Sequence, residues 1–231
     1  MSLHLNTMLL LLHGALGSKS QLDSIKTALA NQGNTVVAMN FSGHSGEPFS
    51  EKGFGIEVFA DDVDHFLADR WRQEPVNIFG YSMGGYVALW YAYQYPHKVG
   101  KIITLGTKFD WDPASAQREV GKLDPDKIIE KVPAFARILE HRHAPNDWRE
   151  VISRTSEMML QLGNQPLLTE DVLASINHDV EIWLGDRDDM ADFAYSQRVA
   201  AILPRGRFRL LSDTPHPVEK LRDIPFGYKP A

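Results

Sequence analysis

The sequence predicts an α/β protein: a doubly wound, mostly parallel sheet of about six strands with helices on both faces, carrying a helical cap insertion. Three observations predict it. Short, uninterrupted apolar runs alternate with amphipathic stretches along the first part of the chain. From about Phe109 to about His178 that rhythm stops and only helical patterns occur, after which it resumes. Between one apolar run and one helical run lies a glycine-framed serine, Gly80-Tyr81-Ser82-Met83-Gly84-Gly85.

Met8-Leu9-Leu10-Leu11-Leu12 reads as a strand buried on both faces, because nothing polar alternates with the leucines. His13-Gly14-Ala15-Leu16-Gly17-Ser18 reads as a loop. Gln21 to Gln32 has helical spacing through Leu22, Ile25 and Leu29 and stops at Gly33. Thr35 to Met39 is the second strand, and Asn40 to Gly55, rich in Gly, Ser and Pro, is a long loop. Val58 to Arg72 is amphipathic, with Phe59, Val63, Phe66 and Leu67 on one face. Pro75 to Phe79 is the strand before Ser82, Tyr86 to Ala92 the helix after it, and Lys101 to Leu105 the next strand. Helices are expected over 125–139, 148–162 and 170–176, the second opened by Asp147 and Glu150 in the manner of a capping box. Val180 to Leu184, a helix over 191–203 and a strand over 207–211 complete the pattern. The division expected is a core of residues 1–108 and 179–231 with an insertion at 109–178.

The net charge is -6 with dispersed acidic residues, which argues against nucleic acid or an anionic membrane as partner. With no cysteine there is no disulfide framework, thiolate nucleophile or cysteine-ligated metal. The apolar run Met8–Leu12 is too short for a signal-peptide core or a membrane span, so a cytoplasmic location is the expectation. His141 and His143 lack a third ligand, so no metal and no cofactor is expected, and the Glu140-His141-Arg142-His143 stretch reads as a solvated charged turn.

In chain order, Leu12-His13-Gly14-Ala15-Leu16-Gly17-Ser18, Ser42-Gly43-His44-Ser45-Gly46, Gly80 to Gly85, Gly185-Asp186-Arg187-Asp188 and Thr214-Pro215-His216-Pro217 together resemble the α/β-hydrolase superfamily over nearly the whole chain. The resemblance implies a nucleophile elbow at Ser82, an acid at Asp188 and a base at His216. It also implies an oxyanion hole from the backbone N–H groups of Ala15 and Met83. Leu16 is the neighbouring alternative to Ala15, and Asp186 the alternative to Asp188. Asp189 and Asp192 suit a helix cap. His13 and His44 are read as braces between loops. The family usually places an antiparallel hairpin before the strand that leads to the His-Gly loop, whereas here that strand begins close to residue 1, so a trimmed sheet of six parallel strands is expected. The C-terminal helix after His216 is expected to be short, interrupted by Pro225 and Gly227.

The chemistry implied is acyl transfer. A serine hydroxyl is a poor nucleophile until a base takes its proton, and histidine titrates in the useful range. The expected function is hydrolysis of a small ester or related acyl substrate through an acyl-serine intermediate. Two alternatives stand beside it: a carbon–carbon bond hydrolase or lyase of the same fold, similar to the menaquinone-pathway synthase, and a non-catalytic ligand-binding protein. Phe109, Trp111, Phe135, Trp148 and Met159 are candidate substrate contacts, with Met158 and Leu162 beside them, although for most of them the core of the insertion is the favoured place. The expected partner is a small-molecule substrate; the oligomeric state is left open.

Overall fold

The computed structural model describes residues 8–71 and 75–221. Six strands form one sheet: β1 (Met8–Leu12), β2 (Thr35–Met39), β3 (Val76–Tyr81), β4 (Val99–Leu105), β5 (Val180–Arg187) and β6 (Gly206–Pro215), in the order β2-β1-β3-β4-β5-β6. Every pairing is parallel. Parallel strands need crossovers, and the crossover helices are α1 (Asp23–Ala30), α2 (Ile56–Arg70), α3 (Met83–Gln94) and, between β5 and β6, α9 (Phe193–Ile202).

Both faces of the sheet are covered, which explains the unalternated leucines of β1. Met8, Leu10 and Leu12 enter the larger core with α2, α3 and α9, while Leu9 and Leu11 enter a second core with α1, Phe79 and Trp183. At about 1.5–3 kcal/mol for each fully buried side chain of this size, β1 is a principal source of stability. Helix α3 is apolar around most of its circumference because the sheet, α2 and helices from the segment between β4 and β5 all pack on it.

Between β4 and β5 lie α4 (Pro113–Val120), α5 (Pro125–Lys131), α6 (Pro133–His143), α7 (Trp148–Asn164) and α8 (Glu170–Ser175). The single helix expected over 125–139 is two. Pro133 has no N–H to continue the ladder and holds Val132 out of the helical region, at φ -137 and ψ 58. Helix α4 was not anticipated, although Asp112-Pro113-Ala114-Ser115 carries its start signal: Asp112 accepts from the Ser115 N–H, and Ser115 Oγ receives the Asp112 N–H. At α7 only half of the expected capping box forms. Asp147 accepts from the Arg149 N–H, and Glu150 pairs with Arg154 instead.

The helices between β4 and β5 have two packing regimes. Ile128, Ala136, Leu139, Trp148, Val151 and Ile152 form their own cluster around Leu16, whereas Met158, Leu162, Leu168 and Leu173 join the main core. The last described element is a 3-10 turn, Val218–Lys220; the expected interruption at Pro225 and Gly227 lies outside the described residues. Among the described residues no helix is long and apolar enough to cross a membrane.

Candidate active site

The strand order reverses between β1 and β3, and in open α/β sheets ligands bind in the crevice beyond the carboxyl ends of strands at such a point. Leu12 pairs with Gly80 and Tyr81 with Leu105, so the loops after β1, β3 and β4 emerge side by side. A Cβ added at Gly14 would stand 3.1 Å from Ser82 Cβ, which measures how closely the loop after β1 lies against the serine.

Ser82 caps the N-terminus of α3 with φ 52 and ψ -118, a conformation that a side chain seldom adopts and that costs on the order of 1–3 kcal/mol. The surroundings hold it there. Its N–H donates to Leu105 O at 2.8 Å, and Thr107 Oγ1 donates to Ser82 O at 2.9 Å. The turn is tight enough that a Cβ at Gly84 would fall 2.4 Å from Leu12 O. Ser82 Oγ itself has no hydrogen-bond partner among the described residues.

On the other side of the crevice, Arg187 pairs with Pro215, so the ends of β5 and β6 deliver Asp188 and His216 as neighbours. His216 Nδ1 lies 2.8 Å from Asp188 Oδ2, with side-chain exposures of 10% and 2%. The other carboxylate oxygen, Oδ1, accepts from Met190 N at 2.9 Å and Ala191 N at 3.0 Å. Two backbone donors plus the imidazole fix the carboxylate on all sides. Gly106, at φ +61, leaves the room for the pair, since a Cβ there would be 2.8 Å from Asp188 Oδ2 and 3.2 Å from His216 Nδ1. The Tyr81 ring lies 5.4 Å from the His216 ring. Burial pushes the Tyr81 phenol above its ordinary range, so it stays protonated.

Asp186 does not share this position. It accepts from Thr214 N at 3.2 Å and so braces the β5–β6 ends. Asp192 caps α9 by accepting from Tyr195 N at 2.7 Å. The backbone N–H groups of Ala15 and Met83 have no hydrogen-bond partners among the described residues, and the Met83 N–H opens a helix whose end favours negative charge.

The alpha/beta hydrolase fold family matches residues 7–218. The chain belongs to that family. Among curated relatives, a probable alcohol acetyltransferase from Wickerhamomyces anomalus is 32% identical over 98 residues, 42% of this chain and 28% of that enzyme. The chain spans about a quarter of the length of the first curated relatives it matches. A thermophilic esterase from Thermogutta terrifontis superposes with a TM-score of 0.72 at 18% identity, covering 92% of this chain and 84% of that one. A carboxylesterase structure from Nitrososphaera gargenis gives a TM-score of 0.72 at 21% identity, over 93% and 85% of the two chains. At those identities the superpositions establish the shared fold.

The five candidate substrate contacts do not converge on one wall. Phe109 is buried against Tyr86 in the main core, and Trp111 is half-buried with its indole N–H donating to Lys108 O. Met159 packs partly on the same core. Trp148 is enclosed in the cluster around Leu16, and Phe135 is exposed on α6. A cavity of about 490 Å³ between residues 52–58 and α7 is lined by none of the residues around Ser82. Another, about 610 Å³, lies beside Asp188 among Lys108, Asp110, Asp189 and Asp192.

The expected solvated turn at 140–143 is half wrong. Arg142 Nη1 donates to Leu16 O at 2.7 Å, and the His143 ring is fully buried. Polar side chains go inside when backbone groups satisfy them, which no local pattern reveals. His13 does brace two loops by hydrogen bonds, whereas His44, among the described residues, bonds only within its own loop and meets the other loops through ring contacts with His13 and His143. His13 Nδ1 meets Gly14 O at 2.8 Å and its Nε2 accepts from Phe41 N at 3.2 Å, while His44 Nδ1 meets Ser42 O at 3.2 Å. Burial lowers all three histidines, His13 and His143 to about 4, so each is neutral near pH 7. Among the described residues no group of three or more His, Asp or Glu side chains is placed to hold a metal ion.

Proposed function

We propose that this protein is a serine hydrolase that cleaves a small ester or related acyl substrate through an acyl-serine intermediate. The observation that carries the reading is the buried Asp188–His216 pair standing across the crevice from a serine held at φ 52. Burial of a carboxylate is costly unless donors surround it, and here the imidazole completes the set.

Ser82 Oγ attacks the acyl carbon while His216 Nε2 takes its proton. Asp188 holds Nδ1–H, which fixes the tautomer and stabilises the imidazolium. The carbonyl oxygen becomes an oxyanion received by the N–H groups of Ala15 and Met83. Collapse breaks the ester C–O bond, and the leaving alkoxide takes the proton back from His216. Water then adds to the acyl-serine with His216 again as base, releasing the carboxylic acid and restoring Ser82. Catalytic hydrogen bonds to the nucleophile tighten as substrate arrives, consistent with an unpartnered Ser82 Oγ before binding. Residues 109–178 are read as a cap over this crevice, supported by the grip of α6 on Leu16.

The test is labelling with a fluorophosphonate and location of the adduct by peptide mass spectrometry. Stoichiometric modification at Ser82, lost in Ser82→Ala and paralleled by turnover of p-nitrophenyl butyrate, is expected. A folded protein that takes no label and turns over no ester refutes the reading.

A further inference from the structure

The loop after β1 has a conformational problem that the insertion solves. Leu16 sits at φ 55, in the left-handed region, where a branched side chain is disfavoured. Two groups of α6 hold it. Arg142 Nη1 donates to Leu16 O at 2.7 Å, and His143 Nε2 lies 3.2 Å from the same oxygen. The tautomer of His143 follows from its other nitrogen. Nδ1 accepts from the Ser45 N–H at 3.1 Å, so the proton is on Nε2 and is donated to Leu16 O. Ser45 is itself left-handed, at φ 51. One buried imidazole therefore ties together two strained loops. The Leu16 side chain is meanwhile buried among Leu139, Trp148 and Val151 of the insertion. The turn after α6 adds a further tie, with Asn146 Nδ2 donating to Gly43 O at 3.2 Å and Glu47 O at 2.7 Å.

Resting on the reading of Ser82 as an acyl-transfer nucleophile, we propose that Arg142 and His143 are positioning residues for the oxyanion hole. Gripping Leu16 O fixes the Leu16–Gly17 peptide unit, and the N–H of that unit in turn holds Gly14 O, the carbonyl of the peptide that carries the Ala15 N–H, so the grip is passed on to the Ala15 N–H beside Ser82. Arg142 and His143 thereby act on the chemistry through the loop, from the side of it that faces α6. The linking bond, from Gly17 N–H to Gly14 O, is 3.1 Å long.

The experiment measures phosphonylation of Ser82 by a fluorophosphonate, and kcat and KM for p-nitrophenyl butyrate, in wild type, Arg142→Met, Arg142→Lys and His143→Leu. Loss of an oxyanion donor costs about 100–1,000-fold, so a loosened one is expected to cost about 10–100-fold in phosphonylation rate and in kcat. KM should stay within about two-fold, because the contact is with the loop and not with ground-state substrate. Arg142→Lys keeps one donor for Leu16 O and should recover most of the rate. The pH midpoint of phosphonylation should not move, because the Asp188–His216 pair is untouched. Should the buried His143→Leu fail to fold, the two Arg142 variants still decide the matter. Folded Arg142→Met reacting at the wild-type rate overturns the proposal. So does a loss confined to KM, which makes Arg142 a substrate contact, or a shifted pH midpoint, which makes it act through His216. Wild type that resists labelling at Ser82 removes the underlying reading as well; labelled wild type with unaffected variants removes only this inference.

Discussion

Mild acid should destabilise this fold well before its carboxylates protonate. The perturbation is a fall in pH from about 7.5 to about 5, and the groups concerned are His13 and His143, both fully buried and both lowered to about 4 by burial. Each uses a bare ring nitrogen as an acceptor, His13 from Phe41 N–H and His143 from Ser45 N–H. Protonation would turn those acceptors into donors facing donors. In the unfolded chain the same histidines titrate near 6.5. Between about 6.5 and about 4 the unfolded state therefore binds protons that the folded state refuses. The stability these groups contribute is complete above about pH 6.5 and is lost as the pH falls toward about 4. One group contributes a slope of about 1.4 kcal/mol per pH unit, so two groups over about 1.5 units remove about 4 kcal/mol by pH 5. His44, lowered for the same reason, adds to the loss; Asp62, raised by burial, opposes it at the acid end. Since domains of this kind are stable by about 5–15 kcal/mol, the effect is large. Urea unfolding followed by tryptophan fluorescence at several pH values measures it. A free energy flat to within about 1 kcal/mol between pH 7 and pH 5, at constant m, refutes the argument.

Gly106→Ala should break the Asp188–His216 pair, by the 2.8 Å approach of its Cβ to Asp188 Oδ2, and lower kcat by at least about ten-fold while the protein still folds. Wild-type turnover in that variant would show the pair to be dispensable. Asp188→Asn should reduce kcat on the order of 10⁴-fold with little change in thermal stability, read from p-nitrophenyl ester kinetics. Thr107→Val removes the donor to Ser82 O and should cost about 1–3 kcal/mol in urea unfolding together with a lower phosphonylation rate. Leu16→Ala, at a side chain 7% exposed and enclosed by the insertion's cluster, should cost about 2–5 kcal/mol, and an unchanged urea midpoint would contradict the packing described for it.

Much of the fold is legible in the sequence because it is local. The leucine run of β1, the apolar β5 and the glycine-framed Ser82 carry their burial and turn chemistry in consecutive residues. Asp188 and His216 were reachable through resemblance, and the register Arg187–Pro215 explains why residues 28 apart in sequence meet. Proline punctuation at Pro133 and the cap at Asp112 were also written locally, although the longer helical pattern masked the first and the second went unread.

What resisted was everything fixed by partners distant in the chain. A run of Glu, His, Arg and His reads as solvated because charge and polarity are local properties, whereas burial is not. Arg142 is satisfied by a carbonyl 126 positions away and His143 by groups 98 and 127 away. The candidate pocket residues met the same limit. Phe135 and Trp148 look alike in sequence, yet α6 turns one to solvent while the fold encloses the other around Leu16. The layered α/β architecture follows from neighbours along the chain, because hydrophobic period and glycine turns are properties of consecutive residues. How the loop after β1 is held against Ser82 depends on long-range packing, because a left-handed residue persists where distant groups satisfy its carbonyl and bury its side chain.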